Sequence, residues 1–154
     1  MDAVVYAAGL VVALRAAYVD ARTHLLRDVY TGPLALIALV GLPLSAAIAD
    51  TGVRIGAMAL GVLVFAGPWL VAHLISPASA GYGDVKYSAA LGLYLGWESP
   101  AVAFRALFLA SAIGALVAGV ALILRRRRTP LPFGPSLLAG ATIALAAHWL
   151  GAVD

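Results

Sequence analysis

The sequence predicts an all-α membrane protein of six transmembrane helices, and three observations carry that expectation. The 154-residue chain is 64% hydrophobic and only 11% charged, with a mean hydropathy of +1.02. That leaves too little polar surface to cover a water-soluble globule of this size. Apolar runs recur along the chain at Ala3 to Val19, Thr31 to Ala49, Ile55 to Ile75, Ala101 to Leu124 and Pro132 to Leu150, with a shorter one from Val85 to Trp97. Finally, the basic residues segregate. Threading six spans from an outside N-terminus puts Arg22, Arg27, Lys86 and Arg125 to Arg128 in cytoplasmic segments and leaves Arg54 alone in the outer loops.

The first run resembles a signal peptide only in its apolarity. Asp2 precedes it and Arg15, Arg22 and Arg27 follow it, the reverse of a basic signal-peptide start, so it reads as a retained span. The breaks between runs carry turn residues: Arg22 to Asp28, Asp50-Thr51-Gly52, Ser76-Pro77, Glu98-Ser99-Pro100, and the arginine tract with Thr129-Pro130. Pro33, Pro100 and Pro132 sit where a first helical turn tolerates proline, whereas Pro43 and Pro68 are expected to kink their spans. Trp97 and Trp149 fall at outer helix ends and Tyr18, Tyr30 and Tyr87 at inner ones, as interfacial aromatics do. No internal period or low-complexity linker divides the chain, so residues 1–154 are expected to form one domain with both termini outside.

Composition also excludes several functions. The net charge of +3 comes largely from the Arg125 to Arg128 tract, which abuts an apolar run, so it reads as a juxtamembrane stop; no nucleic-acid partner is expected. The absence of cysteine removes disulfides and thiolate metal sites. There is no HExxH for zinc and no GxSxG nucleophile, and His24, His73 and His148 are scattered, so neither metal nor cofactor is expected.

Seven carboxylates remain. The topology puts Asp2, Asp50, Glu98 and Asp154 outside and Asp20, Asp28 and Asp84 inside, so only the last three can meet. The 13 residues from Val85 to Trp97 span about 20 Å and the 16 from Val4 to Val19 about 24 Å. Both fall short of a hydrocarbon core about 30 Å thick. Asp84 and Asp20 are thus expected below the inner surface, where an acid costs about 2.5–3.5 kcal/mol and marks a functional position. Gly81 and Gly83 precede Asp84 at minus three and minus one. Glycine permits positive φ and close backbone approach, so an irregular stretch lining a wet cavity is expected from Gly81 to Asp84. Two close carboxylates cannot both ionise, and sharing a proton lets one activate water while the other donates to a peptide carbonyl. This is the chemistry of an aspartyl protease.

At this point a resemblance enters. Gly81-Tyr82-Gly83-Asp84-Val85-Lys86 matches the GxGDxK motif of type IV prepilin peptidases, the run Asp20-Ala21-Arg22-Thr23-His24 resembles their first catalytic segment, and Pro132-Phe133-Gly134-Pro135 resembles their PFGP element. These lie in the family's order across nearly the whole chain. The resemblance implies a GxGD-type membrane endopeptidase of the bacterial inner membrane that acts from the cytoplasmic face. It would cut after glycine at the end of a basic leader, ahead of a pilin's apolar helix. It carries Asp20 and Asp84 over as the catalytic pair, with Gly81, Gly83, Lys86, Arg22, Thr23, Phe133 and Gly134 shaping the site or holding the prepilin-like substrate. Where the family's first segment continues Ile-Pro-Asn, this chain has Leu26-Arg27-Asp28. Long members also have a cysteine-rich cytoplasmic insert and methylate the new N-terminus, and the missing cysteines speak against that second activity here. The short architecture resembles the peptidases of tight-adherence pili and preflagellins.

Other readings stand beside this one. Asp20 alone also reads as a solvated helix-end acid paired with Arg22, and Asp28 falls in that class. Lys86 either steadies the charge of the cavity or reaches toward headgroups. Phe133 and Gly134 either shape a substrate groove or only begin the last helix. A small transporter using Asp20 and Asp84 for protons or a cation, and an inactive pilus assembly subunit, are the alternatives at the level of function.

Overall fold

The structure, a computed structural model, describes residues 2–77, 81–124 and 132–152. The Ser79-Ala80 start of the glycine motif, the Arg125 to Arg128 tract and Asp154 lie outside the described residues. Among the described residues the fold is all-helical, with six continuous helices: α1 Asp2–Thr23, α2 Asp28–Ile48, α3 Ile55–Ile75, α4 Tyr82–Glu98, α5 Pro100–Ile123 and α6 Gly134–Trp149. Helices α1, α2, α3 and α5 are long and apolar enough to cross a membrane. Helices α4 and α6 have 17 and 16 residues, about 25 and 24 Å of rise. Large side chains such as Val4, Leu14, Leu63, Leu74, Phe108 and Leu116 point outward, as a bundle solvated by lipid allows.

Helix α4 is the axis of the bundle. It packs chiefly on α3 and also touches α2, α5 and α6, and every residue from Ala90 to Trp97 is buried. A helix apolar on all sides is one enclosed on all sides. Trp97 and Tyr87 therefore do not belong to an interfacial belt, contrary to expectation: both are buried. Trp149 and Tyr18 are exposed.

Small residues set the closest contacts. A Cβ on Gly61 of α3 would run into the backbone of Gly92 and Gly96 on α4, and one on Gly92 would lie 2.8 Å from the Cα of Val62. The two backbones touch, as helices in lipid do when small residues face each other. Gly140 of α6 meets Ala110 of α5 in the same way, with a Cβ placed 2.7 Å from the Ala110 Cα.

The prolines depart from expectation. Helix α2 begins at Asp28, so Pro33 lies within it and not in its first turn. Ahead of Pro43 the helix widens into a π turn at Ile37–Gly41. The proline ring cannot donate to the preceding turn and crowds it, and the wider turn makes room. Pro100 does open a helix, with the Ser99 hydroxyl accepting the Val102 amide at 3.2 Å. Pro132 precedes α6, whose first turn takes Pro135 instead.

Polar pairs gather at the two ends of the bundle. At one end the Ser45 hydroxyl donates to Asp2, and His148 Nε2 lies 3.6 Å from Glu98. At the other lie Asp20, Asp28 and Asp84.

Candidate active site

Ala13, Ala16, Ala17 and Asp20 form one helical stripe on α1 and turn inward together. Small residues bring the backbone close to its neighbours, and the same stripe carries the Asp20 carboxylate inside, where it is 4% exposed. The solvated, Arg22-paired reading of Asp20 is thereby corrected. Arg22 itself is exposed and lies over the Tyr18 ring at 5.2 Å.

Asp20 is held from the far end of the chain. Its Oδ2 accepts the amide of Gly134, the first residue of α6, at 2.9 Å. This amide is one of the donors that a helix start leaves without an intrahelical partner, and the positive end of the helix favours the anionic acceptor. A Cβ at position 134 would lie 2.8 Å from that same oxygen, so glycine is what the contact requires.

Asp84 lies in the first turn of α4, half-buried, and its amide donates to the Gly81 carbonyl at 3.0 Å. Asp84 comes to the same end of the bundle as Asp20, because Gly83 beside it packs on Leu26, three residues past the end of α1. Helix α4 brings them together by starting where α1 ends.

Of the two properties expected of the glycines before Asp84, close approach is found and positive φ is not. Positive φ is absent there: Gly81 is extended and Gly83 is already helical. Gly83 serves close approach, because a Cβ on it would stand 2.9 Å from both the Cβ and the carbonyl oxygen of Leu26. Gly81 gives the Asp84 carboxylate room, with a Cβ there 3.3 Å from its Oδ2.

The remaining predicted residues divide. The Thr23 hydroxyl donates to Val19 O at 2.9 Å within its own helix, so neither Thr23 nor Arg22 is turned toward the acids. Phe133 packs its ring 5.3 Å from that of Trp69 on α3, over Gly114 of α5. Lys86 turns away from Asp84 and binds both oxygens of Asp28, at 2.7 and 2.8 Å.

Three residues around the acids make contacts that the sequence alone does not announce. Asp28 is exposed at a helix start, as expected of a solvated helix-end acid, and the only sequence signal for its pairing with Lys86 is their shared side in the expected topology. Tyr87 is buried with its hydroxyl donating to the Ala13 carbonyl at 2.9 Å, tying α4 to α1. Trp69, whose buried Nε1 has no partner among the described residues, carried no signal at all. Among the described residues no three His, Asp or Glu side chains are grouped to hold a metal ion. A cavity of about 640 Å³ lies away from the two acids, between α1 and α6, lined by Asp2, Tyr6, Leu10, Leu145 and Trp149 among others.

The chain matches the Type IV leader peptidase family over residues 7–119, a stretch that includes Asp20, Asp84 and Lys86 and ends before Phe133. It is similar to the prepilin leader peptidase/N-methyltransferase of Aeromonas hydrophila, with 36% identity over 131 residues covering 83% of this chain and 44% of that protein. The protein of the same name from Escherichia coli is 39% identical over 132 residues, covering 82% and 56%. The one from Pseudomonas aeruginosa is 34% identical over 133, covering 82% and 43%. The chain thus spans about half the length of the curated relatives it matches. No solved structure matches. A family match over most of the chain, with relatives above 30% identity across four-fifths of it, means that the chain belongs to the Type IV leader peptidase family.

Proposed function

We propose that this chain is a membrane aspartyl endopeptidase that removes the short basic leader from type IV pilin-like or preflagellin-like precursors, cutting after a glycine. Asp20 and Asp84 are its catalytic pair, and residues 1–154 act as one peptidase domain. The observation that carries this reading is the placement of two acids, on α1 and α4, at one end of an apolar bundle, both within the stretch matched to the family. The names of the relatives supply the substrate class. Their N-methyltransferase activity is not part of the proposal.

In this reading all six helices cross the bacterial inner membrane, both termini lie outside, and the acids face the cytoplasm. The two short helices support it. Both α4 and α6 start at the end that holds the acids, and each falls short of a hydrocarbon core about 30 Å thick. The site is then recessed just where a leader gives way to an apolar helix.

The two carboxyl groups share one proton. The ionised one takes a proton from water, whose oxygen attacks the scissile carbonyl, while the other donates its proton to the carbonyl oxygen. Collapse of the tetrahedral intermediate returns a proton to the leaving amine and frees the new N-terminus. The Gly134 amide holds Asp20 in orientation throughout.

The test is co-expression with prepilin-like precursors, following precursor size for wild type, Asp20→Asn and Asp84→Asn. Each variant is expected to accumulate uncut precursor at normal membrane levels of the enzyme. Wild-type processing by either variant would overturn the paired-carboxylate reading.

A further inference from the structure

We propose that Asp28 and Lys86 form a positioning clamp that sets the separation of Asp20 from Asp84. This inference rests on the reading of those two acids as the catalytic pair. The clamp joins the first residue of α2 to the first turns of α4, with Lys86 Nζ 2.7 and 2.8 Å from the two oxygens of Asp28.

The link that leads out of α1 is what the clamp holds. Helix α1 ends at Thr23 and α2 begins at Asp28, leaving four residues between them. His24 reverses the chain with φ of +54°, and Leu26 then seats its Cβ and carbonyl against Gly83. The link and the start of α2 thus grip α4 on either side of Asp84: Leu26 at Gly83, one residue before it, and Asp28 at Lys86, two residues after. Residues two apart on a helix point to nearly opposite sides, so Lys86 reaches the link and leaves the Asp84 carboxylate free. The Tyr82 ring, 4.9 Å from Lys86 Nζ, supports the ammonium from below.

The exposure of the pair separates placement from stability. The Asp28 side chain is 73% exposed and that of Lys86 35%, and an ion pair so open to water contributes little to folding. It does fix geometry, because one ammonium centred on both carboxylate oxygens restrains the link at a single register on α4. Loosening it changes how Asp20 faces Asp84 and leaves the surfaces that bind peptide intact. The signature is a fall in kcat with KM preserved.

The experiment uses the full chain in proteoliposomes with a peptide carrying a prepilin-like leader junction. Asp28→Asn and Lys86→Gln are each expected to lower kcat by up to about fivefold while KM stays within about twofold. The exchanged double variant, Asp28→Lys with Lys86→Asp, is expected to recover most of the loss. The chain has no cysteine, so spin labels at Ala21→Cys on α1 and Leu74→Cys on α3, the helix packed on α4, report the separation independently of catalysis. Their distance distribution broadens in the single variants and narrows again in the exchange. Unchanged distances in both single variants overturn the clamp, as does wild-type kcat in both or a rise in KM alone. If the wild-type chain cuts no leader peptide, the peptidase reading fails, and the label distances still decide the clamp.

Discussion

The amide of Gly134 donates to the Oδ2 of Asp20 at 2.9 Å, across 114 positions of sequence. Gly134→Ala is expected to displace the carboxylate, because the added methyl would stand 2.8 Å from the oxygen it must not touch. Misplacing a catalytic group by about 1 Å costs on the order of 100-fold in rate. A loss of that size, at normal membrane levels, is the expected result in the precursor-processing assay; an unchanged rate would show that the contact is dispensable.

The two glycines before Asp84 are expected to rank. Gly83→Ala puts its methyl 2.9 Å from a carbonyl oxygen and a Cβ of Leu26, neither of which lies at the end of a flexible side chain. Gly81→Ala meets only the Asp84 carboxylate at 3.3 Å, which a small rotation relieves. Processing should therefore fall further in Gly83→Ala, by about tenfold relative to Gly81→Ala. The reverse order would mean that Leu26 does not sit on α4.

Tyr87→Phe removes a buried hydroxyl that donates to the Ala13 carbonyl. The expected cost is about 1 kcal/mol, read as a lower midpoint of thermal unfolding in detergent. A midpoint equal to that of wild type would indicate that water replaces the bond.

The axial helix α4 shows what could be read from the sequence and what could not. Its existence followed from the apolar run Val85 to Trp97, and its placement of Asp84 on the same side as Asp20 followed from counting spans and basic residues. The burial of Trp97 and Tyr87 did not follow, because uniform apolarity marks a helix as enclosed only once its neighbours are known. The glycines were legible as special, and close approach was among the reasons expected, but the partner was not: the role of Gly83 depends on Leu26, 57 positions earlier. Asp28 and Lys86 had compatible charges and sides, yet only tertiary placement makes them partners. Pro33 was misplaced because α2 starts three residues before its apolar run does.

The glycine contact between α3 and α4 divides the bundle mechanically. Where Gly61, Gly92 and Gly96 bring two backbones together there is no side chain to repack, and Asp84 rides on the stiffer side. Open volume of about 640 Å³ lies at the end of the bundle away from the acids, along the first half of α1 and the second half of α6. Hydrogen exchange should show this asymmetry, with the amides from Leu91 to Leu95 slowest and those from Tyr6 to Val12 several-fold faster. The position of Asp84 is thereby set by backbone contact, which no change of rotamer can relax.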